Sequence, residues 1–176
     1  AAAGRGAGVG PASAPGARGR GCQFGSCGDR VAKSDRVVGA DVTKVAVEWG
    51  QAADPGARRD ELEREHGYRA VLLTHNETST GVMNPIPELA AVVRELAPDA
   101  LILVDSVSSL GAVPFEMDAW GVDVVVTGSQ KAWMAAPGLA MIAASTRAWA
   151  AMATATMPRV FLDLRAHRDT HAIRHT

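Results

Sequence analysis

Lysine is scarce in this chain. Only three of its 18 basic residues are lysine and the other 15 are arginine. Cysteine is scarcer still, with Cys22 and Cys27 as the whole complement. That pair has no second pair and no clustered histidines beside it, so no zinc site is expected, and a reduced, cytoplasmic compartment is the simplest reading. Excess charge is missing too: the net value of −1 argues against a nucleic-acid or membrane-surface footprint. No apolar run approaches the roughly 20 residues of a membrane-spanning helix. Residues 1–20 contain no acid and no aromatic, so they cannot build a core, and residues 1–30 read as a low-complexity, disordered segment. They lack the amphipathic spacing of a transit peptide. Gly4-Arg5-Gly6-Ala7-Gly8-Val9-Gly10 has no strand before it and no lysine or helix after it, so it is not a phosphate loop.

From about residue 40 short apolar runs alternate with helical patterns, and 176 residues suffice for one domain with a core. Residues 31–176 are therefore read as one partial domain. Val42 to Val47 alternates and predicts a strand. Ala57 to Glu65 predicts a helix closed by Gly67, and Ala70 to Leu73 a short buried strand. Asn84-Pro85-Ile86-Pro87 opens a helix that keeps Ile86, Leu89, Ala90, Val93 and Leu96 on one face until Pro98-Asp99 ends it. Leu101 to Val104, Val122 to Val126 (interrupted by Asp123) and Leu139 to Ala143 predict three more strands, and Arg147 to Ala155 another helix. Wholly apolar strands separated by helices imply an α/β fold, a mostly parallel sheet with helices on both faces.

Ligands of such sheets collect beyond the carboxyl ends of the strands. Three polar clusters fall there: Thr74 to Gly81, Asp105-Ser106-Val107-Ser108-Ser109, and Gly128-Ser129-Gln130-Lys131. Taken singly, each has a plain structural reading. Asp105 suits a turn or helix cap, and Lys131 a polar turn at the surface. A lysine at the mouth of a buried strand is also placed to lose water and lower its pKa, as a Schiff-base lysine must. A lysine, a carboxylate and phosphate donors together are what pyridoxal phosphate requires. The carboxylate keeps the pyridine nitrogen protonated, and the released amine becomes the base at the substrate's Cα.

The segments Val71 to Val82, Leu103 to Gly111 and Gly128 to Lys131 resemble the class V aminotransferases, nearest to the serine/alanine–glyoxylate (serine–pyruvate) group. The resemblance covers roughly residues 40 to 176. It implies the large domain of a pyridoxal-phosphate-dependent transferase, with the C-terminal small domain absent. It implies transfer of the amino group of serine or alanine to a 2-oxo acid such as glyoxylate or pyruvate, in a homodimer. Residue by residue, Lys131 would carry the cofactor as a Schiff base and Asp105 would face its pyridinium nitrogen. Val107 would pack on the ring, Thr78 would hydrogen-bond the cofactor, and Gln130 would contact the phosphate. Thr176 resembles a threonine that reaches the partner subunit's phosphate.

The neighbours keep structural readings. His75 serves as readily as a hydrogen-bonded structural histidine, and Glu77 as a local cap. Trp120, Trp133 and Trp149 read as core or interface, and Gly81 and Gly138 as turn residues. His167, His171 and His175 recur every four residues but lack the partners of a metal site, so no metal is expected. The chain also departs from the family. The tryptophan expected just after Phe24-Gly25 is missing, as is the N-terminal phosphate turn. The arginine that grips the substrate carboxylate is missing too, and Arg165, Arg168 and Arg174 sit at no matching motif. These departures read as a truncated or mis-started frame retaining the central cofactor-binding portion. A class V lyase such as a cysteine desulfurase needs a cysteine after the lysine, and none follows Cys27. A folded but non-catalytic fragment is the other alternative.

Overall fold

The computed structural model describes residue 36, residues 41–155 and residues 163–173. The Asp54 carboxylate accepts from the backbone N–H groups of Gly56 and Ala57, and Pro55 fills the first turn, where a missing donor costs nothing. Together they start α1, Pro55–Arg64. The chain then enters β1, Ala70–Thr74. Two short antiparallel strands follow, β2, Asn76–Glu77, and β3, Val82–Met83. Gly81 closes their turn at a φ of +73°, a conformation a side chain would strain. Next come α2, Ile86–Leu96, β4, Leu101–Asp105, β5, Val124–Gly128, and β6, Ala140–Ala144. The last two helices are α3, Thr146–Thr154, and α4, Leu164–Ile173.

The main sheet has the order β1-β4-β5-β6. The first three strands are parallel, and β6 runs antiparallel to β5. The link from β5 to β6 is short and helix-free, and parallel neighbours need a longer crossover, which sets that direction. Alternate strand residues enter two apolar layers. Val71, Leu73, Ile102, Val104 and Val125 pack with Leu62 of α1 and with Ile86, Leu89 and Val93 of α2. Ala70, Leu101, Leu103, Val124 and Val126 pack with Ala148 and Met152 of α3. Both faces of the sheet are therefore covered, as the sequence predicts.

At the amino ends of the strands, Asp123 ties four elements together. Its Oδ2 accepts from Arg94 Nη2 of α2 at 2.5 Å and from the Ile102 N–H at 2.9 Å. Its Oδ1 accepts from Ser145 Oγ at 3.0 Å, and the same serine oxygen caps α3 by accepting from the Ala148 N–H. At the opposite end Asn84 is buried. Its Nδ2 donates to the Thr74 carbonyl and its Oδ1 accepts from the Ala53 N–H, both at 2.7 Å.

Three features differ from the sequence reading. Val42 to Val47 does not form a strand: only Lys44 makes a bridge. Its alternation serves packing instead, with Val42 buried and Val45 and Val47 half-buried against the core. The β2–β3 hairpin begins within the polar cluster Thr74 to Gly81 and ends just beyond it, and no strand is read there because two-residue strands are too short to show a period. β5 begins two residues late, since Asp123 is occupied by its hydrogen bonds to β4 and to Ser145.

Candidate active site

The register sets the site. Thr74 lies opposite Asp105, and Asp105 opposite Val126, so three parallel strands end abreast. The ladder extends one step beyond: the His75 N–H donates to the Asp105 carbonyl at 2.8 Å, and the Ser106 N–H to the Val126 carbonyl at 2.9 Å. Asp105 is half-buried on the central strand, and its Oδ1 accepts from the Val107 N–H at 3.1 Å. That bond is a short side-chain turn of the kind aspartate favours, and it curls the following loop over the strand ends. A Cβ at Gly128 would stand 3.1 Å from Gln130 Oε1 and 3.8 Å from Val107 Cγ1. Glycine thus leaves the backbone bare where Val107 and Gln130 converge.

Ser108 joins this loop to the hairpin. Its Oγ accepts from Asn76 Nδ2 at 2.8 Å and from Thr78 Oγ1 at 2.9 Å, and donates to the Asn76 carbonyl at 3.3 Å. The Thr78 hydroxyl is exposed and its proton is directed to Ser108, so donating to a ligand requires it to turn away. Glu77 folds back on its own turn, accepting from Ser79 N and Ser79 Oγ at 3.1 and 2.7 Å, which is the local role expected of it. Ser108 and Asn76 are the partners that sequence reasoning left without a role. The hydroxyl-rich run from Ser106 to Ser109 was the available signal.

Lys131 lies on the turn after β5. Ser129 anchors that turn: its carbonyl accepts from the Ala135 N–H at 3.0 Å, its Oγ donates to the Ala136 carbonyl at 2.7 Å, and its Oγ accepts from the Leu139 N–H at 3.3 Å. The Lys131 carbonyl accepts from the Met134 N–H at 2.9 Å, and Met134 has a φ of +52°. Gly111 packs against this turn, its Cβ position 3.7 Å from atoms of Ala132 and Trp133. The loop after β4 and the Lys131 turn are therefore neighbours. Lys131 itself is exposed, as is Gln130, which corrects the expected desolvation. The strand stops at Gly128 and the backbone turns outward before the lysine, so the apolar run never encloses it. Trp133 is also exposed rather than core, whereas Trp120 and Trp149 pack partly buried against the two apolar layers.

His75 is 3% exposed. Its Nδ1 lies 3.0 Å from Ser109 Oγ and 3.3 Å from Ser106 Oγ, and the two hydroxyls are 2.8 Å apart. Phe115 and Trp120 meet the imidazole edge to face, with centroids at 5.4 and 6.1 Å. Burial lowers its pKa below the ordinary histidine value, because the charged form is cut off from water. Its contribution to stability is present in full above about pH 6.5 and is lost as the pH falls from there through the depressed folded value. Urea titrations at pH 7.5 and 5.5 should show wild type losing more stability on acidification than His75→Phe.

The remaining expectations lie elsewhere. Thr176, Cys22, Cys27, His175, Arg174 and the Phe24-Gly25 segment fall outside the described residues. Arg165 pairs with Asp163 at 2.8 Å, and Arg168 stacks over Trp149 at 5.0 Å. Both are on α4. A shallow cavity of about 500 Å³ opens at the amino ends of the strands, lined in part by Arg94, Asp123, Ser145 and Arg147. Those groups belong to the Asp123 network or, for Arg147, donate to the carbonyls of Pro98 and Ala100. Among the described residues, no helix is long and apolar enough to cross a membrane.

Comparison with known proteins gives this geometry a lineage. The "soluble hydrogenase, small subunit" of Synechococcus sp. (strain PCC 6716) is 42% identical over 160 residues, covering 89% of this chain and 40% of that protein. The L-aspartate–glyoxylate aminotransferase of Paracoccus denitrificans is 45% identical over 130 residues, covering 72% and 33%. Among solved structures, the alanine–glyoxylate aminotransferase of Nostoc sp. superposes with a TM-score of 0.86 at 30% identity, over 95% of this chain and 44% of that one. The chain thus spans two fifths or less of the length of these two curated relatives. The hydrogenase name is that relative's own, and most of the stretch it shares with this chain lies within the aminotransferase match. The family model described as aminotransferase class-V matches residues 31–162, three quarters of the sequence, and the chain belongs to that family.

Proposed function

We propose that residues 31–176 form the central part of a pyridoxal-phosphate-binding large domain in an aminotransferase. The observation behind this reading is the convergence of three loops at the carboxyl ends of the parallel strands: Asp105 abreast of Thr74 and Val126, Ser108 bonded to Thr78, and Val107 close to Gly128. The donor set fits the cofactor's chemistry, and the bare backbone at Gly128 leaves room between Val107 and Gln130 that a Cβ would fill. Bound there, pyridoxal phosphate supplies an electron sink for charge developing at the substrate's Cα. Asp105 would hold a proton on the pyridine nitrogen, and Val107 would pack against the ring. Gln130 would donate to the cofactor's oxygens, as would Thr78 once its hydroxyl turns from Ser108. Lys131 would hold the cofactor through Nζ and, once its amine is released by substrate, would move the proton between Cα and the cofactor's C4′. Thr176 belongs to the same reading, as a phosphate contact across a homodimer.

The substrates on this reading are a small amino acid, serine or alanine, and a 2-oxo acid such as glyoxylate or pyruvate. The relatives named serine–glyoxylate and alanine–glyoxylate aminotransferases favour that donor class, and the aspartate–glyoxylate relative favours the glyoxylate acceptor alone. A cytoplasmic homodimer is part of the same proposal. The exposure of Lys131 is consistent with a site that further segments enclose. Incubation with pyridoxal phosphate followed by borohydride should place a stable label on Lys131, read by peptide mass spectrometry. Absence of label there, or label scattered equally over Lys33 and Lys44, refutes the cofactor assignment. Label without any spectral response to alanine or serine favours the second reading, a cofactor-binding fragment that turns nothing over.

A further inference from the structure

His75 has no role in the chemistry just described, yet it is buried against the loop that follows Asp105. Its backbone N–H is bonded to the Asp105 carbonyl at 2.8 Å. Its Nδ1 faces the hydroxyls of Ser106 and Ser109, which flank Val107 and Ser108. The three polar atoms form a closed triangle, with the serine oxygens 2.8 Å apart. Two hydroxyl protons must be placed within it. If Nδ1 accepts, one serine donates to the ring and the other donates to its neighbour, so both protons are used. If Nδ1 carries a proton, one hydroxyl loses its acceptor inside the triangle, which is costly for buried groups. Ser106 and Ser109 are both buried. Phe115 and Trp120 hold the imidazole edge to face from its other sides, so the ring has little freedom to turn. Ser109 also bonds through its backbone, donating to the Ser106 carbonyl at 3.3 Å and accepting from the Ala112 N–H at 2.9 Å. The imidazole therefore gathers both ends of the Ser106–Ser109 turn.

We propose that His75 is a positioning residue for the cofactor site. Through Nδ1 it holds Ser106 and Ser109, and so keeps Asp105, Val107 and Ser108 in place at the strand ends. This role rests on the cofactor reading above, but its first consequence, an ordered loop, does not need the cofactor. Two substitutions separate positioning from bulk stability. His75→Asn keeps a polar atom near the place of Nδ1 and gives up the ring contacts with Phe115 and Trp120. His75→Phe keeps the ring and removes the acceptor.

The test measures amide hydrogen exchange in peptides spanning residues 105–111 of the whole chain without cofactor, together with pyridoxal phosphate affinity and melting temperature. Loss of the buried acceptor should raise exchange in this loop and weaken the cofactor by about tenfold in His75→Phe, with melting lowered by only a few degrees. His75→Asn should melt lower while retaining loop protection and affinity within about threefold, since the lost aromatic packing acts on stability and not on the acceptor. Ser109→Ala, a small change in volume, should reproduce the faster exchange. Wild-type protection and affinity in His75→Phe overturn the proposal. So does a ranking of all three variants by melting temperature alone. If wild type binds no pyridoxal phosphate, the cofactor reading falls, while the exchange comparison still decides what His75 does.

Discussion

Asp105→Asn keeps the fold and loses most of the affinity for pyridoxal phosphate. Asparagine has the same shape, and its side-chain oxygen still accepts the Val107 N–H that aspartate accepts at 3.1 Å. The turn over the strand ends therefore survives, and melting should stay within a few degrees of wild type. What disappears is the negative charge at the end of the central strand. A charge-assisted hydrogen bond is worth about 1.5–3 kcal/mol, so the dissociation constant should rise by roughly 10- to 100-fold. Spectrophotometric titration with the cofactor measures this directly. An unchanged dissociation constant removes Asp105 from the site. A large fall in melting temperature instead assigns the residue to the loop and not to a ligand.

Asp123→Ala acts at the other end of the same strands and on stability. Three donors converge on this buried carboxylate: Arg94, the Ile102 N–H and Ser145. Truncation leaves all three without it at once. Breaking a buried pair by removing one partner costs about 3–5 kcal/mol. Arg94 keeps 26% side-chain exposure and its bonds to the Ala100 and Gly121 carbonyls, so the lower end applies, about 3 kcal/mol. For a domain of this size that corresponds to a fall of about 10 °C in melting temperature. Urea denaturation followed by circular dichroism gives the free energy. A loss below about 1 kcal/mol would show that the network is solvated and replaceable, as exposed pairs are.

The two substitutions divide the sheet by its ends, and the sequence marks that division only in part. Asp123 interrupts an otherwise apolar run, and an acid inside a buried strand needs a partner. Its partners lie 29 and 22 residues away, so the anomaly is visible in the sequence and its solution is not. Asn84 is similar. It reads as a helix-opening residue, and only the fold shows it joining Thr74 to Ala53.

Period and composition alone determined that this chain builds an α/β domain, that α2 buries one face, and that Asp105 and Lys131 follow apolar strands. Those properties are local, since a helix face or a buried strand is written in spacing of a few residues. The tertiary structure decided the rest. Strand register set Asp105 abreast of Thr74 and Val126, and a short link turned β6 antiparallel. Ser108 was paired with Thr78 across 30 residues. Lys131, which the sequence places just beyond an apolar run, came to lie exposed on a turn. Each of these depends on which distant atoms meet, and hydrogen-bond partners and burial are properties of the packed chain, not of neighbours along it.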